Sequence, residues 1–160
     1  MHVTWQGWRV SSDAGCGFTC RPGLARRWGW SIRLSRPGWK LLLPPWTLTR
    51  YGPDGVEMTG YFSRFHVGGN HAVHGGVLPL LFDHVFGMIS HAAGRPISRT
   101  AFLHVDYRKV TPIDAPLVIR GRVASTEGRK AFVSAELVDS DDTLLAEGNG
   151  LMVRLLPGQP

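Results

Sequence analysis

Hydrophobic and polar residues alternate regularly only from about residue 56 onward. The stretch 56–62, VEMTGYF, alternates in the manner of a β-strand and follows the turn sequence GPDG at 52–55. Later stretches show the same alternation, and their short connections, rich in Pro, Gly and Asp, favour an antiparallel sheet. These further predicted strands are 100–107, 117–125, 130–138 and 144–155.

Between the first predicted strand and the others lies an apolar run, 75–93, that has the length of a helix. Pro79 falls in its first turns, where a missing N–H costs least, and Gly94 and Pro96 are typical stop signals. Apolar residues occupy nearly every side of this helix, so other elements should wrap it. The pattern predicts an α+β fold in which an antiparallel sheet curves around one long central helix.

The first 45 residues differ from the rest in composition. All six tryptophans lie within the first 46 residues, among Gly, Pro and Arg without strand or helix periodicity. The formal charge of +6 divides into +7 for residues 1–50 and −1 for residues 51–160. We therefore predict one globular domain at 46–156, preceded by an irregular segment at 1–45 that is a mobile arm, a spurious extension or a transit peptide.

Composition also limits the classes of function. The main body is close to neutral, so no nucleic-acid-binding face is expected on it. Cys16 and Cys20 have no further Cys or His at zinc spacing nearby, and the histidines of the main body lack a third ligand at metal-site spacing, so no metal is expected. Polar residues, among them Asp83, interrupt the longest apolar run, which argues against a membrane span. A cytoplasmic protein is the expectation.

Two features of the predicted helix suggest chemistry. Asp83 lies among Leu81, Phe82 and Val85, where a carboxylate would lose hydration, and such a charge is seldom kept for packing alone. At the start of the same helix, consecutive glycines at 75–76 would leave free N–H groups at the positive end of the dipole, a suitable cradle for a developing oxyanion. Simpler readings stay open. The carboxylate could face water or pair with an arginine, and the glycines could serve tight packing.

The spacing of these two features predicts a dimer. Gly75 and Asp83 are eight residues apart, which corresponds to roughly 12 Å along one helix. One substrate carbonyl could hardly contact both groups in the same chain. If they act on one substrate, they should come from two copies of the chain related by a twofold axis.

Four motifs resemble those of hotdog-fold acyl-CoA thioesterases, in particular the phenylacetate-pathway and human thioesterase superfamily branch. They are HGG at 74–76, Asp83 nine residues after the histidine, TAFLHVDY at 100–107 and EGRKAFVS at 127–134. The resemblance covers about residues 46–155. It implies a hotdog fold that dimerises through the sheet and often forms tetramers, and hydrolysis of acyl-CoA thioesters in lipid metabolism without a cofactor.

The resemblance also implies roles for single residues. The Gly75 N–H would polarise the thioester carbonyl, with Gly76 beside it, while Asp83 of the opposite subunit acts as general base or nucleophile. Thr100 would place the attacking water. His74 would orient the loop or bind near the carbonyl. The family's loop asparagine is replaced here by Gly68, so Asn70 is a secondary candidate, and the residues expected to contact the CoA phosphates are Arg108, Arg129 and Lys130, unless these are only solvated surface.

Two other functions fit the same layout. An enoyl-CoA hydratase of this fold would need a paired Asp and His acting on the alkene carbons, whereas the spacing of His74 and Asp83 resembles the thioesterase pattern. A non-catalytic acyl-CoA-binding protein would keep the scaffold without turnover. The joint presence of Gly75, Asp83 and Thr100 favours catalysis.

Overall fold

The computed structural model describes residues Ile32–Arg33 and 46–158. They form a single antiparallel sheet and one long helix, as the alternation pattern predicts. The strands are β1 (Ile32–Arg33), β2 (Thr47–Gly52), β3 (Gly55–Gly60), β4 (Ser98–Tyr107), β5 (Leu117–Glu127), β6 (Lys130–Asp139) and β7 (Leu144–Arg154), and the helix is α1 (Val77–Ala92). Two short 3₁₀ turns, Arg64–His66 and Gly69–His71, lie in the loop before α1.

The sheet has the strand order β1-β2-β3-β5-β6-β7-β4, and every neighbouring pair is antiparallel. β4 therefore lies at one edge although it follows α1 directly in the chain. Its ten residues pair with β7 on one side only. The opposite edge is the two-residue β1, so β4 is the one long edge strand among the described elements.

The helix packs closely on the concave face of the sheet. Phe82 and Phe86 of α1 are completely buried, and glycines of β7 make room for them. A Cβ atom added at Gly148 would stand 2.6 Å from the Phe82 ring, and one at Gly150 would stand 2.5 Å from Phe86. Only glycine leaves room for these rings, so each phenylalanine of the helix packs over its own glycine of β7.

The predicted boundaries hold within a few residues, but one whole strand is missing from the prediction. β2 forms a hairpin with β3 through the predicted turn, and in its sequence only Leu48 is buried. A register shift between Leu48 and Arg50 breaks the alternation, which explains why the pattern did not reveal this strand. Trp46, 2% exposed, packs edge-on against Phe62 and closes the core at the predicted start of the domain.

The predictions for residues 1–45 lie outside the described residues, except at Ile32–Arg33. These two residues pair with β2, so the segment predicted to be irregular contributes a short strand to the sheet. Cys16 and Cys20 are not described. In the described part of the chain, no helix has both the length and the apolar character that a lipid bilayer requires.

Candidate active site

Asp83 and Thr100 form one half of the candidate site. The Thr100 hydroxyl donates a hydrogen bond of 2.6 Å to Oδ1 of Asp83. Thr100 lies near the start of β4, opposite Met152 of β7, at a register shift between Thr100 and Phe102. This bulge ends the regular pairing beside Thr100, a feature that often accompanies functional sites. The structure thus brings together two of the predicted catalytic residues.

The expected burial of Asp83 is wrong for the isolated protomer. Asp83 is exposed, so the simpler reading that the carboxylate faces water is the one this protomer shows, and the predicted wrapping of α1 is incomplete there. The alternative pairing with an arginine is not found either, because the described partner of the carboxylate is Thr100. Asp83 is also not paired with His74, as a hydratase arrangement would need.

His84, the residue that follows Asp83 in α1, is partly buried. Burial lowers the pKa of His84 to about 4, although the neighbouring Asp83 carboxylate acts in the opposite direction. His84 is therefore neutral near pH 7. Asp83 stands at the boundary between an apolar interior and the open face of the helix.

The start of the helix forms the other half of the candidate site. The His74 carbonyl accepts the Val77 N–H at 2.9 Å, and the Gly76 N–H donates to Nδ1 of His74 at 3.1 Å. Among the described residues none accepts a hydrogen bond from the Gly75 N–H. The predicted pair of free donors is therefore reduced to one, because His74 occupies the N–H of Gly76.

Within this chain Gly75 has no conformational or packing reason to be glycine. Its φ is not in the left-handed region, and an added Cβ would meet only the Tyr107 ring at 3.8 Å, which is ordinary contact. Tight packing, the simpler reading of this glycine, is thus not supported. A side chain there would instead obstruct whatever approaches the exposed N–H from outside the protomer.

Two residues of this region, Gly68 and Tyr107, had no role assigned from the sequence. Gly68 occupies the place of the family's asparagine because a Cβ there would stand 2.8 Å from Cα of His74, so the loop packs directly on the HGG segment. Tyr107, at the end of β4, donates its hydroxyl to the Gly75 carbonyl at 2.8 Å. Asn70 is exposed and has φ +55°, followed by His71 at +58°, so the loop is strained beside the site.

The three predicted phosphate contacts fall into two groups. Arg108 donates from Nε to Glu147 at 2.7 Å and lies 3.7 Å from Asp106, and the hydrogen bond and charge of Glu147 raise its pKa. Its charge is already compensated. Arg129 and Lys130 are exposed at the β5–β6 turn and form no ion pair with any described residue.

Arg95 holds this turn in place by donating to the carbonyls of Gly128 and Lys130, at 3.4 and 3.2 Å. In the sheet, Lys130 is opposite Val153, which is opposite Arg99, the residue before Thr100. The uncompensated cations therefore lie at the same end of the sheet as Asp83 and Thr100. No cluster of three or more His, Cys, Asp or Glu suited to a metal occurs in the described ranges.

Comparisons with known proteins point to the thioesterase superfamily. Residues 70–146 match the model of the thioesterase superfamily. Acyl-coenzyme A thioesterase THEM4 of Rattus norvegicus is 35% identical over 89 residues, which are 55% of this chain and 38% of the relative. The chain thus spans well under half the length of the curated relative it matches.

Solved structures share the fold. A thioesterase superfamily protein superposes with a TM-score of 0.65 at 32% identity, covering 69% of this chain and 56% of that chain. A hypothetical thioesterase protein from Streptococcus pneumoniae TIGR4, crystallised with coenzyme A, has a TM-score of 0.66 at 16% identity, covering 69% of this chain and 89% of that one. The likenesses in sequence and in fold coincide, and together they support a hotdog-fold thioesterase domain in this chain.

Proposed function

We propose that the chain hydrolyses acyl-CoA thioesters to a free acid and CoA at a site shared by two copies of the chain. The observation that carries the proposal is the placement of both half-sites along the edge strand. The Asp83–Thr100 pair lies at the start of β4, and Gly75 is held by Tyr107 at its end. The curated relative is an acyl-coenzyme A thioesterase, and one structural neighbour was crystallised with coenzyme A, which supports this class of substrate.

Antiparallel pairing of β4 with its own copy would unite the two halves. The free edge of β4 offers unpaired backbone N–H and C=O groups over ten residues, which is a template for another strand. A twofold axis near Leu103 would place Thr100 of one strand beside Tyr107 of the other. Asp83 of one protomer would then approach the Gly75 N–H of its partner, and the exposed face of α1 would be covered.

The chemistry needs only these groups. The Gly75 N–H would stabilise the negative charge that develops on the thioester oxygen when a nucleophile attacks the carbonyl carbon. Asp83 would take a proton from water as it attacks, or attack directly to form an anhydride that water then hydrolyses. In either route the C–S bond breaks, the thiolate of CoA leaves and takes a proton, and the acid is released. Thr100 would orient the carboxylate.

The cationic turn suits the other end of the substrate. Arg129 and Lys130 carry uncompensated charge near the Asp83–Thr100 half, and they are the better candidates for the CoA phosphates than the paired Arg108. Gly76 would act indirectly, since its N–H donates to Nδ1 of His74 and so orients that side chain. Asn70 would contribute only if its loop moves toward the thioester carbonyl.

The direct test is release of CoA thiol from a panel of short, long and aromatic acyl-CoAs by the wild-type chain and by Asp83→Asn. We expect thiol release by the wild type and a loss of at least about 10³-fold in kcat for the variant, because the amide can neither take a proton nor attack. Asp141→Asn, an exposed carboxylate in the β6–β7 turn, is the matched control and should keep wild-type activity.

The alternatives give different results. An acyl-CoA-binding protein would bind the panel without releasing thiol from any member. A hydratase would add water across an enoyl-CoA and leave the thioester intact. Equal silence of wild type and variant over the whole panel would contradict the proposed hydrolysis.

A further inference from the structure

The carbonyl of Gly75 lies just before the hydrogen-bond ladder of α1, because Gly76 is the N-cap of this helix. In an α-helix the carbonyl of residue i accepts the N–H of residue i+4. For Gly75 that residue is Pro79, which has no N–H. The Tyr107 hydroxyl donates to this carbonyl at 2.8 Å and takes the place of the missing donor.

Both peptide groups that flank Gly75 are thereby held. The peptide before it is held by the bond from Val77 to the His74 carbonyl, at 2.9 Å. The peptide after it is held at both ends, by Tyr107 at its carbonyl and by His74 at the Gly76 N–H. Glycine is the residue with the greatest backbone freedom, so the direction of its N–H depends on such external bonds.

Packing in the core does not explain why residue 107 carries a hydroxyl. The residue is 55% exposed, and its ring lies against Gly75, with Cε1 and Oη each 3.8 Å from the position of an added Cβ. A water molecule could satisfy the carbonyl equally well if only stability mattered. A rigid side chain on a strand differs from water in that it fixes the direction of the peptide.

We propose that Tyr107 is a positioning residue. By holding the Gly75 carbonyl, its hydroxyl restrains the backbone torsions of Gly75 and, through them, the direction in which the Gly75 N–H points at the oxyanion. The inference rests on the proposed thioester hydrolysis. It explains why the strand that contributes Thr100 at one end carries a tyrosine at the other, although this hydroxyl touches no reacting atom.

Tyr107→Phe keeps the ring and removes only the hydroxyl. Because the donor would remain present but less well directed, we expect kcat for acyl-CoA hydrolysis to fall about 5- to 20-fold with KM changed less than about twofold. Tyr61→Phe is the matched control, since Tyr61 is similarly exposed and forms no described hydrogen bond through its hydroxyl, and it should match the wild type in both constants.

A second substitution tests the cause. Pro79→Ala supplies an N–H four residues after Gly75, where a helix extended back to Gly75 would donate to its carbonyl. Alone it should leave kcat within about twofold of the wild type, while Tyr107→Phe/Pro79→Ala should regain at least about threefold over Tyr107→Phe. A purely structural role of Tyr107 would give no such recovery.

Three results overturn the inference: an unchanged kcat in Tyr107→Phe, an equal fall in Tyr61→Phe, or a double variant no better than Tyr107→Phe. Asp83→Asn separates this failure from failure of the proposed function. If Asp83→Asn is inactive while Tyr107→Phe matches the wild type, only the positioning role is wrong. If Asp83→Asn retains full turnover, the proposed mechanism itself is wrong.

Discussion

The two halves of the candidate site are built differently. At the start of α1 the proposed functional group is a backbone N–H, and a set of hydrogen bonds from His74, Val77 and Tyr107 fixes its surroundings. Around Asp83 the functional groups are side chains, and a single bond from Thr100 orients the carboxylate. The surroundings of the first half are fixed within the protomer, whereas the carboxylate of the second half is exposed and is bonded only by Thr100 among the described residues.

Mixing two inactive variants tests most directly whether the two halves of one site come from different chains. Gly75→Pro removes the N–H donor and Asp83→Asn removes the carboxylate, and each homodimer should lose at least about 10³-fold in kcat. If a site takes one group from each chain, mixed dimers contain one intact site, and random mixing should restore about a quarter of wild-type activity.

The control for mixing is the double variant Gly75→Pro/Asp83→Asn combined with either single variant. Such mixtures contain no intact site in any arrangement and should stay inactive. Activity is measured after co-refolding or co-expression, with the dimer isolated by size exclusion. Absence of recovery from dimers that do exchange would show that each chain provides both groups.

The pH dependence of the free energy of unfolding measures how strongly His84, the neighbour of Asp83, is buried. The unfolded chain binds a proton at His84 near the ordinary pKa of 6.5, and the folded chain does so only near 4. Between these values the unfolded state holds more protons, so stability is fully present above pH 6.5 and is lost as the pH falls toward 4, by up to about 3 kcal/mol. Urea unfolding at pH 7.5 and 4.5, compared between wild type and His84→Gln, measures this.

His84→Gln should show a smaller loss across the same interval because the amide does not titrate. Titratable groups that do not interact with His84 contribute equally to both proteins and cancel in the difference, whereas the neighbouring Asp83 is part of the measured effect. An identical pH dependence in the two would mean that His84 is hydrated in solution, and the carboxylate half would then be wetter than the structure indicates.

Substitutions of Thr100 test whether its single hydrogen bond is enough to orient the Asp83 carboxylate. Thr100→Ala should lower kcat roughly 10- to 100-fold, because the carboxylate loses its orienting donor, with a smaller effect on KM. Thr100→Ser keeps the hydroxyl and should retain most of the activity. Steady-state kinetics of both variants tests this. Equal losses of kcat in the two variants would assign the effect to the methyl group instead of the hydroxyl.

The smallest expected effect concerns the cations near the carboxylate half. Arg129→Ala/Lys130→Ala should raise KM for acyl-CoA about 3- to 10-fold and leave kcat nearly unchanged. The effect should vanish with a thioester of N-acetylcysteamine, which lacks phosphates. Arg122→Ala, on the exposed side of β5, is the control, and an equal rise in its KM would indicate general surface charge.

The main elements followed from the sequence because alternation and helix length are local signals. The strands after α1 and the helix itself lie within a few residues of their predicted bounds. β2 did not follow, since a register shift and a single buried residue hide its period. The glycines of β7 under Phe82 and Phe86 also carry no local signal, because their role is set by contacts across the fold.

For the site, residue types and spacing were enough to identify the available groups: a carboxylate within an apolar helix, glycines before it and a hydroxyl on the following strand. Their contacts follow from the tertiary structure. Folding joins Asp83 to Thr100 and Gly76 to His74, compensates the charge of Arg108, and gives the Gly75 carbonyl the Tyr107 hydroxyl as its donor. Residue types and spacing follow from local order, whereas the direction of a hydrogen bond depends on groups that folding brings together from distant parts of the chain.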